Sequence, residues 1–203
     1  MFTGLVEQIG SVVSNNKVDF GIRLSISCDA FDEMPKNGDS IAISGCCLTI
    51  VDSERVDNAT ILRFDVIEET LKCTHLGSLV HGSLVNVELA MRGDSRFGGH
   101  FVQGHIDSMA KVIGITKLYT GEERIRFSLD TVDRDVTVSK GSIAIDGVSL
   151  TIACIDEDWF EVCLIPTTLQ ETTLGTVSIG SVVNIETDML ARTVAQVVKN
   201  LKS

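Results

Sequence analysis

Short runs rich in Val, Ile and Thr recur along the chain, alternate apolar with polar side chains and close on Gly, Asn or Asp, the period-two pattern of half-buried strands. In the first half six such runs stand near residues 4–14, 22–28, 40–44, 47–53, 60–67 and 83–90. No long helical pattern separates them, so the pattern predicts a small closed antiparallel barrel, which leaves no exposed sheet edge. Residues 70–76 and 168–174 read as helices of one or two turns, each ending at a glycine suited to a left-handed cap. Thr168 with Glu171 fits a capping box. Over residues 188–203, Leu190, Val194, Val197, Val198 and Leu201 fall at helical spacing, with Lys199 and Lys202 toward the negative end of the helix dipole. This amphipathic helix must bury its stripe against its own barrel or against another copy of the chain.

The pattern occurs twice. Residues 40–50 read SIAISGCCLTI and residues 142–152 read SIAIDGVSLTI, a gapless match at all but three positions. Ile67-Glu68-Glu69-Thr70-Leu71, Leu76-Gly77 and residues 82–88 (GSLVNVE) are echoed in order by Ile165-Pro166-Thr167-Thr168-Leu169, Leu174-Gly175 and residues 180–186 (GSVVNIE). Thr3-Gly4-Leu5-Val6 pairs more faintly with Gln103-Gly104-His105-Ile106. A tandem duplication follows, with its boundary in the charged, Gly-rich stretch 92–99. The expected units are an N-terminal barrel over 1–97, a C-terminal barrel over 98–187 and a terminal helix over 188–203.

Composition narrows the chemistry. With 44% hydrophobic residues, 17 glycines and two prolines the chain is an ordered globular protein. No apolar run approaches the roughly 18 residues of a membrane span, and the opening MFTGLVE lacks a signal peptide's basic start and apolar run. A cytoplasmic protein with no membrane partner is expected, and its six cysteines read as thiols. A formal charge of −11 opposes nucleic acid and anionic membranes and leaves a small, largely uncharged ligand as the natural partner. The cysteines and four histidines show no zinc-type spacing, so no metal site is expected.

Candidate chemistry lies where the repeats agree or diverge. Strand alternation places Cys47 and Thr49 on one face and Cys46 and Leu48 on the other, and does the same for Ser149 and Thr151. A single cysteine of this kind is ordinarily a small hydrophobe, but a pair of small polar groups repeated in both halves is a candidate ligand-facing surface. Residues 98–105 (GGHFVQGH) set His100 and His105 among three glycines, and His105 stands where the first repeat has the apolar Leu5. That divergence introduces a group able to move protons near neutral pH. His75 and His81 lack such context and read as surface residues. Asp188 replaces Ala90 of the first repeat and doubles as a natural N-cap. Lys140 aligns with Asn37 or Gly38, depending on the gap, and by itself reads as a solvated lysine at a strand end.

Taken together, these motifs resemble riboflavin synthase, the enzyme family with two lumazine-binding domains. The opening MFTGLVE, residues 44–49 (SGCCLT), residues 98–105, residues 140–151 and residues 165–169 match its signatures in order across nearly the whole chain. Ser44, where many members carry Asn, is a mild departure.

The resemblance implies a six-stranded Greek-key barrel in each half, a homotrimer held partly by the C-terminal helix, and active sites formed between barrels of different subunits. It implies one 6,7-dimethyl-8-ribityllumazine per barrel and no metal or redox cofactor. The first-barrel ligand positions carried over are Gly4, Leu5, Val6, Cys47, Leu48, Thr49, Asp65, Val66, Ile67, Glu68, Glu69 and Thr70. The second-barrel positions are Gly104, His105, Ile106, Lys140, Ser149, Leu150, Thr151, Ile165, Pro166, Thr167, Thr168, Leu169 and Gln170. His105 is expected to carry protons at the second site, with Ser149 and Thr151 orienting that ring. Cys47 and Ser40 serve the first site, and Asp188 supports the transfers. A non-catalytic lumazine- or flavin-binding antenna protein of the same fold is the alternative, although such proteins typically lose polar groups from one site and both halves here keep theirs. A flavin reductase domain would need a nucleotide-binding partner with a Gly-rich phosphate loop, which the sequence lacks.

Overall fold

The computed structural model describes residues 1–202. The first barrel contains β1 (Gln8–Val18), β2 (Gly21–Asp29), β3 (Ser40–Ile43), β4 (Cys46–Val56), β5 (Ala59–Ile67) and β6 (Leu84–Leu89). The second contains β7 (Ser108–Lys117), β8 (Glu123–Ser128), β9 (Ser142–Ile145), β10 (Val148–Ile155), β11 (Trp159–Leu164) and β12 (Val182–Thr187). Between β5 and β6 lies α1 (Glu68–Cys73), and between β11 and β12 lies α2 (Pro166–Glu171). Each is followed by a 3-10 turn, His75–Ser78 and Thr173–Thr176 respectively, and α3 (Met189–Lys202) ends the described chain. Ser203, the last residue of the expected helix, lies outside the described residues.

The strands close in the order β1-β2-β5-β4-β3-β6, and the second barrel repeats it as β7-β8-β11-β10-β9-β12. β3, β4 and β5 form consecutive hairpins, and β2 returns beside β5 by a long connection, which is Greek-key topology. Alternation decides which side chains fill each barrel: Leu62, Phe64 and Val66 of β5 point inward, as do Val162 and Leu164 of β11. Register shifts fall at matching places, between Val12 and Ser14 in β1 and between Val112 and Gly114 in β7. Such bulges sharpen the strand bend that a small barrel needs.

Three details differ from the sequence expectation. The first strand begins at Gln8 and not near residue 4, because Thr3–Val6 leaves its own barrel and packs on the other. The short helices end at Thr74 and Thr172 in extended conformations and not at left-handed glycines. The capping box does not form: Pro166 at the first helical position already fixes the helical start, Ile165 is the N-cap, and Thr168 lies inside α2.

The barrels meet at a pseudo-two-fold seam. Phe2 and Val102 exchange backbone hydrogen bonds of 2.8 and 3.3 Å and are fully buried with Ala42 and Ala144. Around this apolar centre, Asn86 Nδ2 donates to Asp146 O at 2.8 Å and Asn184 Nδ2 donates to Ser44 O at 2.9 Å. Each amide oxygen accepts from the turn of the other barrel, Asn86 Oδ1 from Thr173 N and Asn184 Oδ1 from His75 N. Both side-chain amides are thus paired through their nitrogen and their oxygen, which orients the barrels as well as joining them.

Candidate active site

Cys46, Leu48 and Ile50 of β4 face the first core, which leaves Cys47 half-buried and Thr49 exposed on the outside of the wall. Ser40 of β3 lies directly across from Thr49 in register. The second barrel repeats the arrangement, with Ile152 inward, Ser149 half-buried and Thr151 exposed. Only Leu150 departs from its twin, being partly buried where Leu48 is buried.

The arms that cover these walls are exchanged. Cys47 N donates to Gly104 O at 2.9 Å, and Ser149 N donates to Gly4 O at 2.7 Å. Ile106 packs against the first core and Val6 against the second. Gly4–Val6 therefore belongs beside Ser149 on the second barrel, and Gly104–Ile106 beside Cys47 on the first, the reverse of the grouping carried over by sequence. Glycine is required at both crossings. Gly4 and Gly104 adopt φ of +77° and +80°, and a Cβ would fall 2.6 Å from Ser149 Cβ and 2.5 Å from Cys47 Cβ.

His105 is exposed one residue beyond Gly104, so it stands near the first-barrel wall and not the second. His100 is the histidine that meets Ser149, its Nδ1 lying 2.7 Å from Ser149 Oγ, while its Nε2 is buried without a partner. Burial lowers the His100 pKa below the ordinary value, with the charge of Asp188 pulling the other way. Asp188 itself caps α3, its Oδ1 accepting from Leu190 N at 2.9 Å.

The 65–70 and 165–170 segments run from the end of an inner strand into a short helix on each barrel. Arg23 forks onto Asp65 at 2.7 and 2.9 Å and holds its carboxyl below the usual range. Val66 is buried, whereas Ile67, Glu68 and Glu69 are exposed and Thr70 is half-buried. In the second barrel Ile165, Pro166, Thr167 and Gln170 are exposed, and Thr168 and Leu169 are half-buried. The exposed Ile67 and Ile165 give each segment an outward apolar side chain. Lys140 matches Gly38, since Lys140 N donates to Ile152 O as Gly38 N does to Ile50 O. It holds φ of +66° where its twin is a glycine, a conformation costly for a lysine and the kind found at ligand sites.

Sequence reasoning missed three groups. His75 is not a surface residue: its side chain is 11% exposed and its Nε2 lies 2.9 Å from Asp146 Oδ1 in the other barrel. Glu88 and Glu186 are buried at the feet of the two arms. Both close the repeated VNVE and VNIE blocks, and that repetition was the available signal. The six cysteines are free thiols, and burial pushes those of Cys28 and Cys46 up to about 12. This makes both poor nucleophiles.

The family model for a lumazine binding domain matches twice, over residues 3–90 and 103–188. Riboflavin synthase of Bacillus subtilis (strain 168) is 43% identical over 195 residues, covering 95% of this chain and 87% of the relative. Riboflavin synthase of Mycobacterium tuberculosis (strain H37Rv) is 39% identical over 203 residues, covering 98% and 99%. Among solved structures, LumP complexed with riboflavin superposes with a TM-score of 0.75 at 26% identity, and LumP complexed with 6,7-dimethyl-8-(1'-D-ribityl) lumazine with 0.73 at 25%. Each covers 92% of this chain and 99% of LumP. A doubled barrel with a polar outer wall kept in both halves, matched along its length by these synthases, places the chain in the riboflavin synthase family.

Proposed function

We propose that the chain is a riboflavin synthase: it binds two molecules of 6,7-dimethyl-8-ribityllumazine and passes a four-carbon unit from one to the other, releasing riboflavin and 5-amino-6-ribitylamino-uracil. The observation that carries this reading is the full-length likeness to synthases together with small polar groups retained at both walls, Cys47 with Thr49 and Ser149 with Thr151.

The methyl group on carbon 7 of the lumazine is acidic because its anion delocalises into the ring, so the ligand supplies its own electron sink. The protein's part is to hold two rings in reacting geometry and to move protons. His105 acts as proton carrier at the first wall, beside Cys47 and Ser40. Ser149 orients the ring at the second wall with Thr151, and His100 fixes the Ser149 hydroxyl. Asp188 supports these transfers through its charge near His100. Ile67 and Ile165 offer apolar contact to the flat ligands, with the rest of the 65–70 and 165–170 segments and Lys140 around them. No metal or redox cofactor is assigned.

We further read the assembly as a cytoplasmic homotrimer. Leu190, Val194, Val197, Val198 and Leu201 of α3 remain 42–82% exposed in the single chain, so their stripe is not buried on their own barrel. Self-association would cover it. No helix among the described residues is long and apolar enough to cross a membrane.

The test is turnover. Incubated with the lumazine alone at neutral pH in the presence of a chelator, the chain should form riboflavin and the pyrimidine in equal amounts. Tight binding with no turnover would instead identify a non-catalytic antenna protein.

A further inference from the structure

We propose that the two buried carboxylates Glu88 and Glu186 are positioning residues, each serving the ligand wall of the barrel opposite its own. The inference rests on the reading of both walls as lumazine sites. Glu186 belongs to β12 of the second barrel and is 1% exposed. Its Oε1 accepts from Gln103 N at 2.7 Å and its Oε2 from Gly104 N at 2.8 Å. The chain of contacts then leaves the second barrel: Gly104 O accepts from Cys47 N, His105 follows, and Ile106 seats on the first core. Glu88, 5% exposed in β6 of the first barrel, makes the mirrored set. It accepts from Thr3 N at 2.7 Å, Thr3 Oγ1 at 3.0 Å and Gly4 N at 3.1 and 3.2 Å. Gly4 O in turn accepts from Ser149 N, and Val6 seats on the second core.

The chemistry calls for a carboxylate. Two successive backbone N–H groups aim at one point, and only an ionised carboxylate offers two oxygens that both accept. Burial leaves both carboxyls raised above the ordinary value, and the N–H donors oppose it only in part by favouring the charged form. A glutamine would turn its NH2 toward one of these donors and leave a buried N–H unpaired. The arm would then shift where it carries His105 to one wall or shapes the other around Ser149, and small displacements of reacting groups cost rate steeply.

What separates this role from general stabilisation is its crossed direction, which double-mutant cycles read out. In the full-length chain, Glu186→Gln should lower kcat by about ten- to a hundred-fold, with a smaller change in KM. It should add little to the loss caused by His105→Gln, yet multiply with that of Ser149→Ala. Glu88→Gln should behave in reverse, coupling to Ser149→Ala and multiplying with His105→Gln. Should either Gln variant fail to fold, as judged by circular dichroism, Thr3→Val removes one of the bonds to Glu88 and keeps the carboxylate and both backbone donors. Its smaller loss should still couple to Ser149→Ala alone. Coupling of either glutamate to the wall of its own barrel, or multiplicative losses in every pair, overturns the proposal while the wild-type enzyme still makes riboflavin. A wild-type chain that makes none defeats the enzyme reading and this proposal with it.

Discussion

His75 Nε2 and Asp146 Oδ1 lie 2.9 Å apart across the seam between the barrels, and Asn184 N donates to the same oxygen at 2.8 Å. Burial alone would lower the histidine's pKa, but the hydrogen bond and charge of Asp146 outweigh it and leave the value raised. Among the described residues no other charged group acts on the ring: β12 presents the amide Asn184 to this turn, and its Glu186 is engaged by the arm. A raised folded value means that the pair's contribution is fully present below the unfolded value of about 6.5 and is lost as pH rises through the folded one. The melting difference between the wild type and His75→Asn should therefore widen as pH falls from 8 to 6, by the roughly 1–3 kcal/mol of a charge-assisted hydrogen bond. A difference that does not change with pH would show that the ring is not protonated there.

His105→Gln should keep the fold and most of the ligand affinity and slow turnover by about 10²-fold or more, the usual loss on removing a general acid or base. Steady-state kinetics beside a fluorescence titration decides it. An unchanged kcat would return His105 to a role in packing or solubility.

Phe2 is fully buried at the centre of the seam, where it touches elements of both barrels. Phe2→Ala should cost about 3–5 kcal/mol and uncouple the barrels, so that calorimetry resolves two transitions. One unshifted transition would mean that the polar contacts around Phe2 hold the seam unaided.

The two-barrel plan was legible because it rests on signals local in sequence: strand alternation, turn residues and an eleven-residue block met twice. The exchange of arms was not. Thr3–Val6 and Gln103–Ile106 carry nearly the same pattern, so the sequence does not say which wall each arm covers, and the exchange is visible only in the backbone bonds Ser149 N to Gly4 O and Cys47 N to Gly104 O. His75 escaped notice for a related reason. Its partner lies 71 residues away, and no periodicity of its own short turn marks it as buried.

The exchange also changes what an isolated half should do. Residues 1–97 contain every strand of the first barrel but none of the 102–106 arm that covers Cys47. Such a fragment should fold and bind lumazine as a dimer in which two copies trade their Thr3–Val6 arms, and it should not turn over, since it lacks His105 and Ser149. Sedimentation and flavin fluorescence test this together. A stable monomer with full ligand affinity would show that the arm is dispensable.

Seen in this way, the full-length chain resembles such a dimer tied by a short tether. The segment between β6 and β7 keeps each arm at a high effective concentration beside its receptor wall, so the trade no longer depends on how much protein a cell makes. Tethering also ends the demand that both walls and both arms stay alike. Once the two never need to pair with their own copies, one wall is free to keep Cys47 while the other takes Ser149, and one arm keeps Leu5 while the other acquires His105. A reaction in which two identical ligands must play different parts needs that freedom to diverge.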